Sequence, residues 1–177
     1  MTDSCDRKSP DFSQPIAALK KCHERIRAEC VTLCQLAERV KSQGCDAQAR
    51  ETAVGLVRYF DTAARFHHED EEEDLLPRMM AAATISRGSS LTRLVADVAN
   101  EHREMDRRWT ELRAALQGVA AGEPDTVLDP MNVDQFVKLY STHIAVEEAN
   151  LFPLAEMLLS RNDLAEIGAN MSERRNR

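Results

Sequence analysis

What the sequence has little of narrows it first. Only 6 glycines, 6 prolines and 5% aromatic residues occur in 177 positions, too few turn-formers for a β-sandwich or barrel with its frequent hairpins. No apolar run approaches the roughly 20 residues that a membrane span needs, and the N-terminus lacks the basic-then-apolar layout of a secretion signal. A soluble, cytoplasmic protein is therefore expected. The five cysteines (Cys5, Cys22, Cys30, Cys34, Cys45) are odd in number, crowd the first quarter and form no CxxC. That excludes a disulfide framework and suits small thiols in a reducing compartment, although Cys30 and Cys34, one helical turn apart, leave an oxidised or metal-bound pair open. Basic residues number 23 against 30 acidic ones, a formal net charge of −7, with no Lys/Arg stripe among aromatics. Nucleic acid and membrane are excluded as partners, and a homodimer is left open.

What is there is helical, and the length fits one domain. Ile16, Leu19, His23, Ile26, Cys30, Leu33, Ala37 and Val40 step by three and four without a break, the signature of a helix with one buried seam. Gly44 ends it, because glycine accepts the cap conformation that most residues avoid. A second seam runs through Ala53, Leu56, Phe60, Ala63, His67, Glu71 and Leu75 until Pro77 interrupts it, with residues 79–84 as a kinked extension. Residues 86–90 read as a loop whose Ser90 caps a third helix, with Leu91, Leu94, Val98, His102, Met105, Trp109, Leu112, Leu116 and Val119 on one face. The fourth helix carries Phe136, Tyr140, His143, Glu147, Leu151, Leu154 and Leu158. These patterns predict an all-α protein, an up-down-up-down four-helix bundle over residues 15–160. A flexible tail over residues 1–14 precedes it, and a short C-terminal helix with a basic tail over 161–177 follows.

The residues that interrupt the seams carry the chemistry. His23, His67, His102 and His143 occupy core positions, one per helix, and Glu71 and Glu147 each follow a histidine by four residues, one turn along on the same face. Burying such groups costs several kcal/mol unless something compensates. One His-x-x-x-Glu recurs by chance and can be a plain ion pair. Here the frame H-x-x-x-E-E-x-x-L-[LF]-P occurs twice, from His67 to Pro77 and from His143 to Pro153, at a constant offset of 76 residues, while His23 and His102 differ by 79. A duplicated helical hairpin would bring two copies of the set to one level of the bundle. Imidazole and carboxylate together are ligands for iron, manganese or zinc, and carboxylates can bridge two ions. Two imidazoles and one oxygen from each bridging glutamate fill four positions per ion. An oxo or hydroxo bridge supplies a fifth, and one site per ion is left for an outside ligand.

The order H, HxxxE, H, HxxxE with its EExxLFP-like endings resembles the hemerythrin-like, or HHE cation-binding, family over residues 16–159. That resemblance implies a non-haem di-iron centre, with zinc or manganese as alternatives, held by His23, His67, Glu71, His102, His143 and Glu147. Oxygen-carrying hemerythrins have a fifth histidine on the third helix, one turn after the first, and a differently spaced aspartate on the last. Here the third-helix position holds Asp106, and the last helix instead carries Glu147, four residues after His143. The departure disfavours reversible oxygen carriage and leaves an open position on each ion, an arrangement suited to peroxide cleavage or nitric oxide binding. Relatives with a similar four-histidine pattern include catalase-like and nitric-oxide-peroxidase proteins and di-iron proteins proposed to repair iron–sulfur clusters. The expected partner is accordingly a peroxide or a small diatomic ligand, with a sensor or carrier of oxygen, nitric oxide or iron as the alternative. Tyr140, one turn before His143, is expected behind the ligands rather than on the metal, and Asp106 is a weaker candidate ligand. His68 points about 100° from the seam and is expected in solvent, as is the acidic run 69–74 apart from Glu71. Trp109, Phe60 and Phe136 read as core.

Overall fold

The computed structural model describes residues 11–83 and 85–176, the side chains of 85–89 excepted, and the chain is an all-α bundle. Helix α1 spans Pro15–Gln43. Helix α2 is a rod over 47–82 whose α-helical pieces, Ala47–Tyr59, Arg65–Glu69 and Leu76–Ala82, are joined by wide π-turns at Phe60–Ala64 and Asp70–Leu75. Helix α3 is Ile85–Ala121. Helix α4 comprises Pro130–Val146, a π-turn at Glu147–Leu151, and Phe152–Leu158. A capped fifth helix, α5, covers Arg161–Arg174. Each of the first four packs on its neighbours in sequence, and α4 closes the ring on α1. Among the described residues no helix is long and apolar enough to cross a membrane.

Two apolar clusters fill the bundle, one running from Ile26 and Ile144 toward the far ends of α1 and α3, the other from Leu19 and Leu151 toward α5. The buried histidines and glutamates form the polar layer between them, so both sides of that layer are dry. In α1, which contains no π-turn, all eight expected seam positions are buried. The expected seams slip by one residue within the first π-turn of α2 and after the π-turn of α4, while His67, Glu71 and Leu75 keep their inward places. Ala64 is buried in place of Ala63, and Ala155 and Leu159 in place of Leu154 and Leu158, because a π-turn inserts one extra residue per turn. Pro77 does not end α2: it and Pro153 both fall just after a π-turn, where a backbone N–H has no helical partner to lose. The repeated frame therefore encodes a repeated distortion.

Two other expectations shift. Residues 86–90 are helical, and the break falls at Ala83, whose backbone is extended (ψ 133°). A lone glycine such as Gly88 weakens a helix without stopping it. Gly44 does end α1, at φ +71°. Of the tail expected over residues 1–14, residues 1–10 lie outside the described residues. Phe12 packs its carbonyl on Gly168, where a Cβ would sit 1.9 Å from that oxygen, and its ring carries the Arg175 guanidinium at 4.7 Å.

The acidic run 69–74 is a solvated face only in part: Glu72 and Glu73 are exposed as expected, and the two aspartates are not. Asp70 and Asp74 are buried because α5 lays two arginines over them. Arg174 reaches Asp70, Asp74 at 2.8 Å and Glu73 at 2.9 Å, and Arg175 meets Asp70 at 2.6 Å. The basic end expected as a tail is thus a clamp on the second π-turn of α2. Arg174→Ala leaves a buried carboxylate cluster short of a cation and should cost about 3 kcal/mol in urea unfolding, more than loss of an exposed arginine such as Arg107. Asp46 caps α2 through the Ala49 N–H at 2.8 Å and pairs with Arg39, which holds its carboxyl down at about 2 from an ordinary 3.8. Its stabilisation is therefore complete above about pH 4 and is lost as pH falls through about 2. Acid titration of Asp46→Asn should lack that component.

Candidate metal centre

Each half of the bundle brings two imidazoles together edge-on, nitrogen to nitrogen. The His23 and His67 Nε2 atoms lie 3.0 Å apart, and those of His102 and His143 lie 3.1 Å apart. The outer nitrogens of three rings are held by carboxylates: His23 Nδ1 by Glu148 at 3.0 Å, His102 Nδ1 by Glu72 at 2.7 Å, and His143 Nδ1 by Glu101 at 2.8 Å. A carboxylate fixes the proton on Nδ1 and leaves the inner nitrogen as a lone pair. For His102 and His143 both inner nitrogens are then acceptors, and their contact requires either an extra proton or a cation between them. Two nitrogens at about 2.1 Å from one ion and at right angles are about 3 Å apart, the spacing seen in both pairs.

The glutamates span the two pairs. Glu147 places Oε2 3.1 Å from His23 Nε2 and Oε1 3.2 Å from His143 Nε2. Glu71 places Oε1 3.7 Å from His67 Nε2 and Oε2 3.4 Å from His102 Nε2. All four carboxylate oxygens are buried without a hydrogen-bond partner, an arrangement that costs free energy unless a cation takes them up. Two overlapping groups could each hold an ion, His23 with His67, Glu71 and Glu147, and His102 with His143 and the same two glutamates. The six residues expected from sequence thus converge, and the donor set fits a carboxylate-bridged pair of metal ions. The groups contain no cysteine, and burial pushes the Cys30 thiol up to about 12.

Without metal the layer balances its charge with protons. Burial, reinforced by Glu147, pushes the Glu71 carboxyl well above its ordinary value. Burial also opposes ionisation of Glu147, but the His143 and His23 imidazoles outweigh it and hold that carboxyl well below. For His143, burial is overcome by Glu101 and Glu147, which lift its imidazolium to about 9. At neutral pH the layer therefore carries a protonated His143, and its surroundings favour the protonated form of Glu71.

The other sequence expectations resolve unevenly. Asp106 is exposed, and Tyr140 is buried with its ring 5.8 Å from that of His68. Both line a cleft of about 400 Å³, together with Phe60, Met105, Trp109 and His68. His68 is not in solvent: it is 7% exposed, with its ring 4.1 Å from that of His102. The π-turn at Phe60–Ala64 widens the inward face so that both His67 and His68 turn in. Sequence reasoning missed Glu72, Glu148 and Glu101. The first two were detectable as the second glutamate of each repeated H-x-x-x-E-E frame, each reaching the lone histidine of a neighbouring helix. Glu101 directly precedes His102, and its counterpart before His23 is Cys22, so His67 Nδ1 is left buried and unpartnered.

Fold and site agree with the comparisons. The family model described as Hemerythrin HHE cation binding domain matches residues 14–155, and the chain belongs to that family. An uncharacterized protein of Haemophilus influenzae is 27% identical to it over 164 residues, covering 93% of this chain and 91% of that one.

Glu72→Gln and Glu148→Gln remove the carboxylates behind His102 and His23 and should each weaken metal binding by about tenfold or more, measured by competition with a chelator. Because His143, lifted to about 9, must give up its proton and Glu71 is pushed toward its protonated form, metal binding should release protons near neutral pH. Affinity should therefore rise with pH up to about 9, which titration in a weakly buffered indicator solution would show.

Proposed function

We propose that this protein is a non-haem di-iron protein whose carboxylate-bridged centre, held by His23, His67, Glu71, His102, His143 and Glu147, turns over peroxide or nitric oxide. The observation that carries the reading is the double pairing of inner nitrogens, spanned by two glutamates whose four oxygens have no other partner. Neutral imidazoles and bridging carboxylates suit iron, with manganese and zinc accepting the same set. When bound, the ion pair supplies Lewis acidity and two one-electron redox equivalents.

The chain supplies the rest. Glu148, Glu72 and Glu101 hold protons at Nδ1 of His23, His102 and His143 and keep the inner lone pairs directed at the centre. Phe152 stacks on His23 at 5.2 Å, and the apolar clusters on either side exclude bulk water. The cleft bounded by Asp106, Trp109 and Tyr140 gives a small ligand a path inward. Its walls carry an Arg113–Asp61 pair at 2.8 Å, with the Trp109 indole N–H donating to Asp61 at 2.9 Å, a braced mouth suited to small uncharged molecules.

Loading the purified protein with ferrous iron without oxygen tests the reading. It expects about two irons per chain by elemental analysis, a visible spectrum of a dinuclear ferric pair after oxidation, and consumption of peroxide or nitric oxide that His67→Ala abolishes. It also expects a melting temperature that falls when a chelator strips the metal. An interior that takes up no metal would overturn it. Two irons with a reversible optical response to oxygen or nitric oxide and no product would instead identify a sensor or carrier.

A further inference from the structure

Besides Cys22, the pseudo-twofold repeat has a second exception that bears on the centre. Applying the offset of 76 residues, His68 corresponds to Ile144. Both are buried, at 7% and 1% exposure, but one is an imidazole and the other a hydrocarbon. Ile144 belongs to the apolar cluster. His68 instead forms a third buried group with His102 and His143, one nitrogen from each lying within 4.8 Å of the others, and its Nε2 is buried with no hydrogen-bond partner. An unsatisfied imidazole nitrogen in a dry interior costs on the order of 1–3 kcal/mol, which a bond to a cation would offset.

Resting on the di-iron reading above, we propose that His68 is a fifth histidine ligand of the centre, the third imidazole of the ion held by His102 and His143. Two nitrogens on one ion at about 2.1 Å are at most about 4.2 Å apart; the three nitrogens lie within 4.8 Å of one another, and the His68 ring, stacked on His102 at 4.1 Å, has to turn for its nitrogen to reach that ion. The asymmetry originates in α2. The π-turn at Phe60–Ala64 lies one turn before His67 and brings two consecutive residues to the inward face, whereas the stretch of α4 before His143 is α-helical from Pro130 to Val146, and its next residue inward is Ile144. Three imidazoles, two carboxylate oxygens and a bridge complete six positions on that ion. The ion held by His23 and His67 keeps its vacancy. The pair then has one open position instead of two, and His68, standing between the centre and the cleft, caps the ion nearer the solvent path.

The test compares iron-loaded wild type with His68→Gln, reading iron content, Mössbauer spectra and nitric oxide binding by the reduced protein. Wild type should bind one nitric oxide per iron pair and show two distinct iron signals. In His68→Gln one signal should shift while the other stays, and nitric oxide binding should rise to two per pair. Should that variant lose its iron, His68→Gly with free imidazole added to the buffer provides a second reading: restoration of the wild-type spectrum supports ligation, and its failure overturns it. Wild type with two irons and a spectrum identical to that of His68→Gln would overturn this inference while leaving the di-iron reading intact. Wild type without iron would overturn both.

Discussion

Everything in this structure answers to one constraint: ionisable groups in a dry layer must be compensated where they stand. Four imidazoles and two carboxylates meet between two apolar clusters, with water excluded from both sides. Carboxylates on the outer nitrogens of His23, His102 and His143 fix the protons outside and leave lone pairs inside. Inner lone pairs facing one another and facing glutamates are tolerable only with positive charge among them, as protons in the empty protein or as cations in the loaded one. The bundle supplies the rigidity that holds this unfavourable arrangement in place.

The two halves of the chain solve the same problem with the same local device. A histidine, a glutamate one turn on, a second glutamate beside it and a proline six residues after the first glutamate produce a π-turn, a ligand pair and an outer carboxylate in one stretch of helix. Departures from the repeat are as informative as the repeat. Cys22 stands where symmetry would place a partner for Glu101, and Ile144 where it would place a partner for His68. The two ends of the centre are therefore chemically unlike, although the backbone around them is nearly duplicated.

Much of this was legible in the residues. The unbroken seam of α1 reads directly as its buried face, and the matched motifs on α2 and α4 point to a common level because helical periodicity is a local property. What was not legible depended on departures from 3.6 residues per turn. A π-turn leaves the identity of neighbouring residues unchanged but widens or shifts the inward face locally, so Ala63 yields to Ala64, Leu154 to Ala155, and His68 joins His67 in the core. The burial of Asp70 and Asp74 was hidden for a different reason. An acidic run looks solvated until a distant arginine pair is known to cover it, and sequence separation of about a hundred residues conceals that contact.

The clamp of Arg174 and Arg175 on Asp70 also changes the status of the last helix. Terminal segments usually fray first, at little free-energy cost. Here the final turns of α5 cannot peel away without baring a buried carboxylate immediately beside Glu71. Opening of the chain's end and loss of the centre's geometry thus belong to one cooperative unit, and amide protons in α5 should exchange with solvent as slowly as those in the heart of the bundle.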